Sequence, residues 1–194
     1  MNKSVWKYPY CYFCDVISPQ DCDAIIAVGK ELTENSGKVN VANALGATTK
    51  NTKVRRAKTA FFSAGHALER VLQKYVTLAN QQAWNFNISG HEPIQFGKYG
   101  RGGFYNWHAD SYYNTNAPLR KLSITVNLSD PTKYVGGNFE MKNTQDEKLE
   151  LPTSEIRQQG TIIVFPSFLQ HRVSEVKSGT RYSLVQWING PDFI

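Results

Sequence analysis

Large aromatics recur at Trp6, Tyr8, Tyr10 and Tyr12, the period-two spacing of an extended segment with one covered face, and the run stops at Ser18. Ser18-Pro19-Gln20-Asp21 then supplies an N-cap residue, a proline at the first helical position and a carboxylate in the first turn. Cys22, Ile25, Ile26 and Gly29 follow at helical spacing, which predicts a helix from about 19 to 33. From Thr33 to Thr59 the chain is polar and basic, with clustered Asn, Gly and Thr, and reads as a long loop carrying Arg55-Arg56. Leu68, Val71, Leu72, Tyr75 and Leu78 lie on one stripe and predict a second helix between Ser63 and about Gln82.

After this helix the period changes. Short apolar segments punctuated by Gly, Pro and Asn stand at 84–88, 94–99, 103–108, 120–128, 137–142, 147–151, 161–165, 171–176 and 181–188. About nine short strands with turns between them read as an antiparallel sandwich or barrel, with the two helices packed outside. Lys177-Ser178-Gly179-Thr180 is a turn signal, so 171–176 and 181–188 are expected to pair as neighbouring strands. In the second of these, Arg181, Ser183, Val185 and Trp187 share one face, while Tyr182, Leu184, Gln186 and Ile188 share the other.

At 194 residues, with 41% hydrophobic and 20% charged, the chain has room for one domain and a sizeable core, and neither disorder nor low complexity fits. The expectation is a single domain over 1–194, with N-terminal helical support at about 15–83 and a β-barrel core at about 84–190. A net charge of +6 favours acidic partners only weakly, because the basic residues are scattered. No run of apolar residues is long enough to span a bilayer, and no secretory signal is visible, so a cytoplasmic location is expected. Three cysteines cannot close a disulfide framework. Cys11 and Cys14 form a C-x2-C pair, but with Tyr12 and Phe13 between them they read as buried strand residues rather than zinc ligands. The glycines around Gly97 to Gly103 read as turns, since no strand-to-helix phosphate loop accompanies them.

Four histidines are present: His66, His91, His108 and His171. The first two read as surface or satisfied residues. His108 precedes Asp110 by two positions, so in an extended segment imidazole and carboxylate point to one side. With His171 they make two histidines and one carboxylate, a facial set that leaves coordination positions open and suits non-heme Fe(II) oxygenases. No cysteine lies near these residues in sequence, against a closed structural zinc site. Arg181 is expected close to His171, where a planar guanidinium with the Ser183 hydroxyl nearby matches a carboxylate. Phe104, Tyr105, Trp107, Tyr112 and Tyr113 surround the first ligands and could line a substrate groove or belong to the core.

The pattern His108-x-Asp110, His171 and Arg181-x-Ser183, with Tyr99-Gly100 before it and Gly136-Gly137 and Phe139 within it, resembles the Fe(II)- and 2-oxoglutarate-dependent dioxygenases. It is most similar to their prolyl 4-hydroxylase-like group, which includes the bacterial PKHD-type hydroxylases. The likeness covers roughly 94 to 189, and its most specific stretch runs from Gln170 to Arg181. It implies a double-stranded β-helix of the jelly-roll or cupin-like kind. By residue match, His108, Asp110 and His171 would bind Fe(II), Arg181 would bind the distal carboxylate of 2-oxoglutarate, and Tyr99 and Ser183 would assist. The implied cofactors are Fe(II), 2-oxoglutarate as co-substrate, O2 and ascorbate. The implied reaction hydroxylates an unactivated C–H bond on a prolyl residue of a peptide, or on a related amino acid, and releases succinate and CO2.

Collagen-type prolyl hydroxylases carry Lys where this chain has Arg181, so the resemblance is to the Arg-bearing bacterial subgroup and collagen-like substrates do not transfer. Two other readings stay open. An AlkB-like nucleic-acid demethylase shares the triad and suits the +6 charge, but that group has a second Arg six residues beyond the first, where this chain has Trp187. A non-catalytic metal-containing β-barrel binding module would keep the same ligands without turnover.

Overall fold

The structure is a computed structural model and describes residues 8–35, 54–111 and 119–192. The calls on Trp6, on Tyr112 and Tyr113, and on most of the 33–59 loop lie outside these residues.

In chain order the elements are β1 (Cys11–Phe13), α1 (Pro19–Asn35), β2 (Arg55–Arg56), β3 (Lys58–Phe61), α2 (Ala67–Ala83), β4 (Gly90–His91) and β5 (Gln95–Tyr99). They continue as β6 (Phe104–His108), β7 (Leu119–Asn127), β8 (Tyr134–Gly136), β9 (Phe139–Met141), the one-turn α3 (Thr153–Ile156) and β10 (Ile162–Pro166). The last three are β11 (His171–Val173), β12 (Val176–Gly179) and β13 (Arg181–Gly190). Among the described residues, seven strands form one sheet in the order β1-β10-β7-β13-β5-β3, with β4 beside β13. A second sheet of four runs β2-β6-β11-β9, and β12 pairs with β8. The two main sheets face each other as a double-stranded β-helix, and strands N-terminal to residue 84 contribute to both.

Strand alternation assigns each face of the large sheet. In β10, Ile162 and Val164 point to one cluster, which holds Leu72 and Val76 of α2, while Ile163 and Phe165 point to another with Phe139 and Met141 between the sheets. Both helices therefore cover the outside. The Ser18 hydroxyl caps α1 by accepting from the Asp21 amide at 3.1 Å and donates to the Asp21 carboxylate at 2.7 Å. At Gly29 the helix backbone comes so near the buried Phe96 ring that a Cβ there would overlap it. Burial pushes the Cys22 thiol up to about 12, as suits a cysteine used for packing. Cys11, Cys14 and Cys22 are all unpaired thiols. Among the described residues no helix is long and apolar enough to cross a membrane.

Several expectations need correction. The α2 face that meets the sheet is Leu72, Val76, Ala79 and Ala83, while Val71 and Leu78 stand at the surface. Small alanines let the helix approach closely, a signal that counting only large side chains misses. Within the expected loop, Arg55–Arg56 and Lys58–Phe61 are strands that pair with β6 and β5. Residues 84–88 are not a strand, because the Asn80 side-chain amide bonds both the N–H and the C=O of Phe86 and takes the place of a neighbouring strand. The stretch 147–151 contributes a single bridge, Lys142 to Lys148. The expected pairing of 171–176 with 181–188 is absent. Val176–Gly179, read as part strand and part turn, pairs instead with β8, and the chain corners at Gly179 with φ +73°. The strand β11 then lies in the small sheet and β13 in the large one.

Candidate metal centre and co-substrate pocket

His108 ends β6 and His171 opens β11, and the two residues pair directly across the small sheet. Asp110 follows the end of β6, its backbone N–H donating to the Ser167 carbonyl at 2.8 Å. Their ligand atoms all lie within 4.8 Å of one another, and among the described residues this is the only group of His, Cys, Asp or Glu so arranged. His108 Nε2 is 3.5 Å from Asp110 Oδ1, and His171 Nε2 is 3.4 Å from Asp110 Oδ2.

Backbone carbonyls set the tautomers. His108 Nδ1 stands 2.7 Å from the Asn106 carbonyl and His171 Nδ1 stands 3.1 Å from the Leu169 carbonyl. A carbonyl only accepts, so both Nδ1 atoms carry the proton and both Nε2 atoms of the neutral rings offer lone pairs. Those lone pairs face carboxylate oxygens. Acceptors facing acceptors repel unless a cation lies between them, so this donor set fits a divalent metal. Burial lowers the His108 imidazole below its ordinary value, against the opposing pull of Asp110. Burial works to raise the Asp110 carboxyl; only when His171 or His108 is also protonated at Nε2 do their charge and hydrogen bonds hold it well below the usual carboxylate range.

Supporting residues fix the three candidate ligands. The Ser123 hydroxyl donates to Asp110 Oδ2 at 2.7 Å and lies 2.9 Å from the Ser167 hydroxyl. Tyr105 stacks on His108 with ring centroids 3.5 Å apart, and Phe165 meets His171 edge-on at 4.7 Å. Tyr105 is one of the aromatics expected to line a groove or belong to the core, whereas Ser123, Ser167 and Phe165 were not singled out in the sequence. Ser123 had a visible signal, because Lys121, Ser123, Thr125 and Asn127 alternate with Leu122, Ile124 and Val126 along one buried strand.

An open cleft runs from this triad to Arg181, lined also by Tyr99, Ser183 and Phe139. Arg181 reaches the cleft by a different route from the expected hairpin. It pairs with Tyr99 across β13 and β5, and its guanidinium stands 5.7 Å from the Tyr99 ring centroid. Gly137, with φ +61°, leaves room for the Arg181 side chain where a Cβ would crowd it. Arg181 is only 3% exposed, Nη1 has no hydrogen-bond partner, and no ion pair among the described residues includes it. A buried guanidinium without a carboxylate is costly, so the site fits an anionic ligand there. Arg181, Ser183, Val185 and Trp187 do share the cleft face, and Leu184 and Ile188 the core face.

The remaining histidines do not join the site. His66 caps α2 by accepting from the Leu68 amide, and His91 on β4 contacts Gln186 at 3.1 Å.

This geometry has counterparts among known proteins. Residues 94–189 match the 2OG-Fe(II) oxygenase superfamily. Among curated proteins the chain is similar to PKHD-type hydroxylases. One from Prochlorococcus marinus is 40% identical over 96 residues, 49% of this chain and 40% of the relative. One from Synechococcus elongatus is 30% identical over 129 residues, 62% of this chain and 55% of the relative. The chain thus spans about half the length of the curated relatives it matches. Among solved structures, the viral collagen prolyl hydroxylase of Paramecium bursaria Chlorella virus-1 superposes with a TM-score of 0.68 at 21% identity, covering 95% of this chain and 97% of that one. A Pseudomonas putida prolyl-4-hydroxylase gives 0.68 at 17% identity, covering 96% and 95%. At such identities the likeness establishes the fold.

Proposed function

We propose that this chain acts as one Fe(II)- and 2-oxoglutarate-dependent dioxygenase domain that hydroxylates an unactivated C–H bond on a prolyl residue of a peptide, or on a related amino acid, with release of succinate and CO2. The observation that carries the reading is the pair of imidazole Nε2 atoms aimed at the Asp110 carboxylate, in one cleft with a buried Arg181 that no carboxylate pairs among the described residues. His108, Asp110 and His171 would hold the iron, and Arg181, with Tyr99 and Ser183 beside it, would hold the distal carboxylate of the co-substrate.

Iron with 2-oxoglutarate and O2 supplies the oxidising power, coupling decarboxylation of the keto acid to hydroxylation of the substrate. The chain's own part is placement and exclusion of water. Three protein ligands on one side leave the opposite positions free for small molecules. Phe139 and Phe165 shield the His171 ring, and Tyr105 covers His108. Arg181 fixes which end of the diacid points away from the ligands, and its charge offsets that of the bound dianion.

A prolyl substrate is suggested by the prolyl hydroxylases that share the fold, and oxygenase chemistry by the superfamily match over residues 94–189. The test is succinate release by purified protein with Fe(II), 2-oxoglutarate and O2, with and without ascorbate, over prolyl peptides, free amino acids and methylated oligonucleotides. Release that depends on a prolyl peptide or amino acid, with a mass gain of one oxygen atom, is expected. Release only with methylated DNA would replace this reading by the AlkB-like one.

A further inference from the structure

Among the described residues, four buried side-chain N or O atoms lack a hydrogen-bond partner: Arg55 Nε, Arg181 Nη1, Trp187 Nε1 and Asn189 Oδ1. The first three belong to residues that line the cleft, and all three are donors. Buried donors without acceptors are rare, so whatever fills this cleft brings acceptors to more than one place. Arg181 answers to the co-substrate. Arg55 has no role in that account.

Arg55 is held in place from two sides. Its Nη2 donates to Gln95 Oε1 at 2.8 Å, and its guanidinium stands 4.6 Å from the centroid of the Tyr105 ring that stacks on His108. It therefore flanks the metal ligands through one aromatic ring. Gln95 pairs with Val185 and Tyr99 with Arg181, so the two guanidinium groups are tied to opposite ends of β5. Four residues of strand separate those anchors by roughly 13 Å at the backbone. Each guanidinium thus has its own anchor along β5.

Charge gives the same answer. Of the cleft-lining residues, Arg55 and Arg181 are cations and Asp110 is the single carboxylate, already engaged by His108, His171 and Ser123. A divalent metal and a dianionic co-substrate cancel each other, which leaves the filled cleft with one positive charge over. A partly buried charge of that kind calls for a counter-charge.

We propose that Arg55 is a specificity-determining residue that binds a carboxylate of the substrate, so that the substrate is acidic next to the carbon that reacts. The proposal rests on the dioxygenase reading for the identity of the cleft's other occupants. The carboxylate has two chemical sources, the terminus of an amino acid or an acidic side chain beside the proline.

Four probes separate them: N-acetylproline against N-acetylprolinamide, and acetyl-Glu-Pro-amide against acetyl-Gln-Pro-amide. Each is titrated by calorimetry into protein loaded with Mn(II) and 2-oxoglutarate, where Mn(II) replaces iron to prevent turnover. In at least one pair the acid is expected to bind about tenfold or more tightly than its amide, the size of a charge-assisted hydrogen bond. Arg55→Gln removes that preference and leaves 2-oxoglutarate affinity within about twofold, while Arg55→Lys, which keeps the charge without the planar fork, retains part of it. Equal affinity within both pairs, no binding by either acid, or a preference that survives Arg55→Gln overturns the proposal. A 2-oxoglutarate titration of the Mn(II) protein is read separately. If it shows no binding, the dioxygenase reading falls, while the acid-against-amide comparison, repeated without co-substrate, still decides for or against Arg55.

Discussion

His108 and His171 occupy directly opposed positions on two neighbouring antiparallel strands, their ring centroids 4.2 Å apart, although 63 residues separate them in the chain (171 − 108). The sheet register itself brings two nitrogen donors to one point, and the carbonyls of Asn106 and Leu169 turn both rings so that Nε2 faces Asp110. Strand pairing therefore holds the two imidazoles, with Asp110 just beyond the end of β6.

Losing either ring removes one donor from a set that has no spare. His108→Ala and His171→Ala are each expected to reduce Mn(II) or Fe(II) affinity by at least about 100-fold while far-ultraviolet circular dichroism stays native. Calorimetry or the electron paramagnetic resonance signal of free Mn(II) reads this. Affinity unchanged in both variants removes these histidines from the ligand set.

Ser123→Ala takes away the hydroxyl that donates to Asp110 Oδ2 but leaves every ligand in place. Partners that orient a ligand typically matter by about 10- to 100-fold in metal affinity. A loss in that range, with the cooperative melting transition retained, is expected from Mn(II) titration. Wild-type affinity would show that the bond from the Asp110 N–H to the Ser167 carbonyl is enough to place the carboxylate.

The candidate ligand cluster was legible because its pattern is local. His-x-Asp is a strand motif, and both His171 and Arg181 sit at the starts of apolar segments. What escaped were contacts that arise from pairing between distant strands. Arg181 was placed near His171 through a hairpin that does not form, and it arrives in the cleft because β13 crosses to the other sheet and pairs with β5. Arg55 looked like loop because its strand is two residues long and is ordered by pairing with β6, which no local periodicity announces. The segment 84–88 looked like a strand, but Asn80 satisfies the Phe86 backbone in place of one. Where a side chain or a remote strand supplies the backbone's partners, local pattern and observed structure part company.

Removing the Arg181 guanidinium should separate co-substrate binding from metal binding. Arg181→Ala is expected to weaken 2-oxoglutarate by about 100-fold or more, since two charge-assisted hydrogen bonds are lost, and to change Mn(II) affinity less than about threefold. Arg181→Lys keeps a point charge without the fork and should fall between. Calorimetric titration of 2-oxoglutarate into the Mn(II) protein measures it. Co-substrate affinity that survives Arg181→Ala assigns the guanidinium another task.

Gly29→Ala sets two effects of opposite sign against each other. Alanine in a helix interior gains roughly 1 kcal/mol over glycine. Here, however, the new Cβ would overlap the Phe96 ring, which is fully buried and stacked on Tyr182 at 5.8 Å, so it cannot swing aside. Overpacking of this kind costs about 1–3 kcal/mol, and with a ring rather than a flexible chain in the way the upper half of the range applies. A net loss of about 1–2 kcal/mol is expected, which for a chain of this size lowers Tm by roughly 2–8 °C. The same substitution made in a Phe96→Leu background should cost less or become stabilising, because the obstructing ring is gone. A Gly29→Ala protein that melts at or above the parent temperature would mean that α1 lies farther from the sheet than the fold requires.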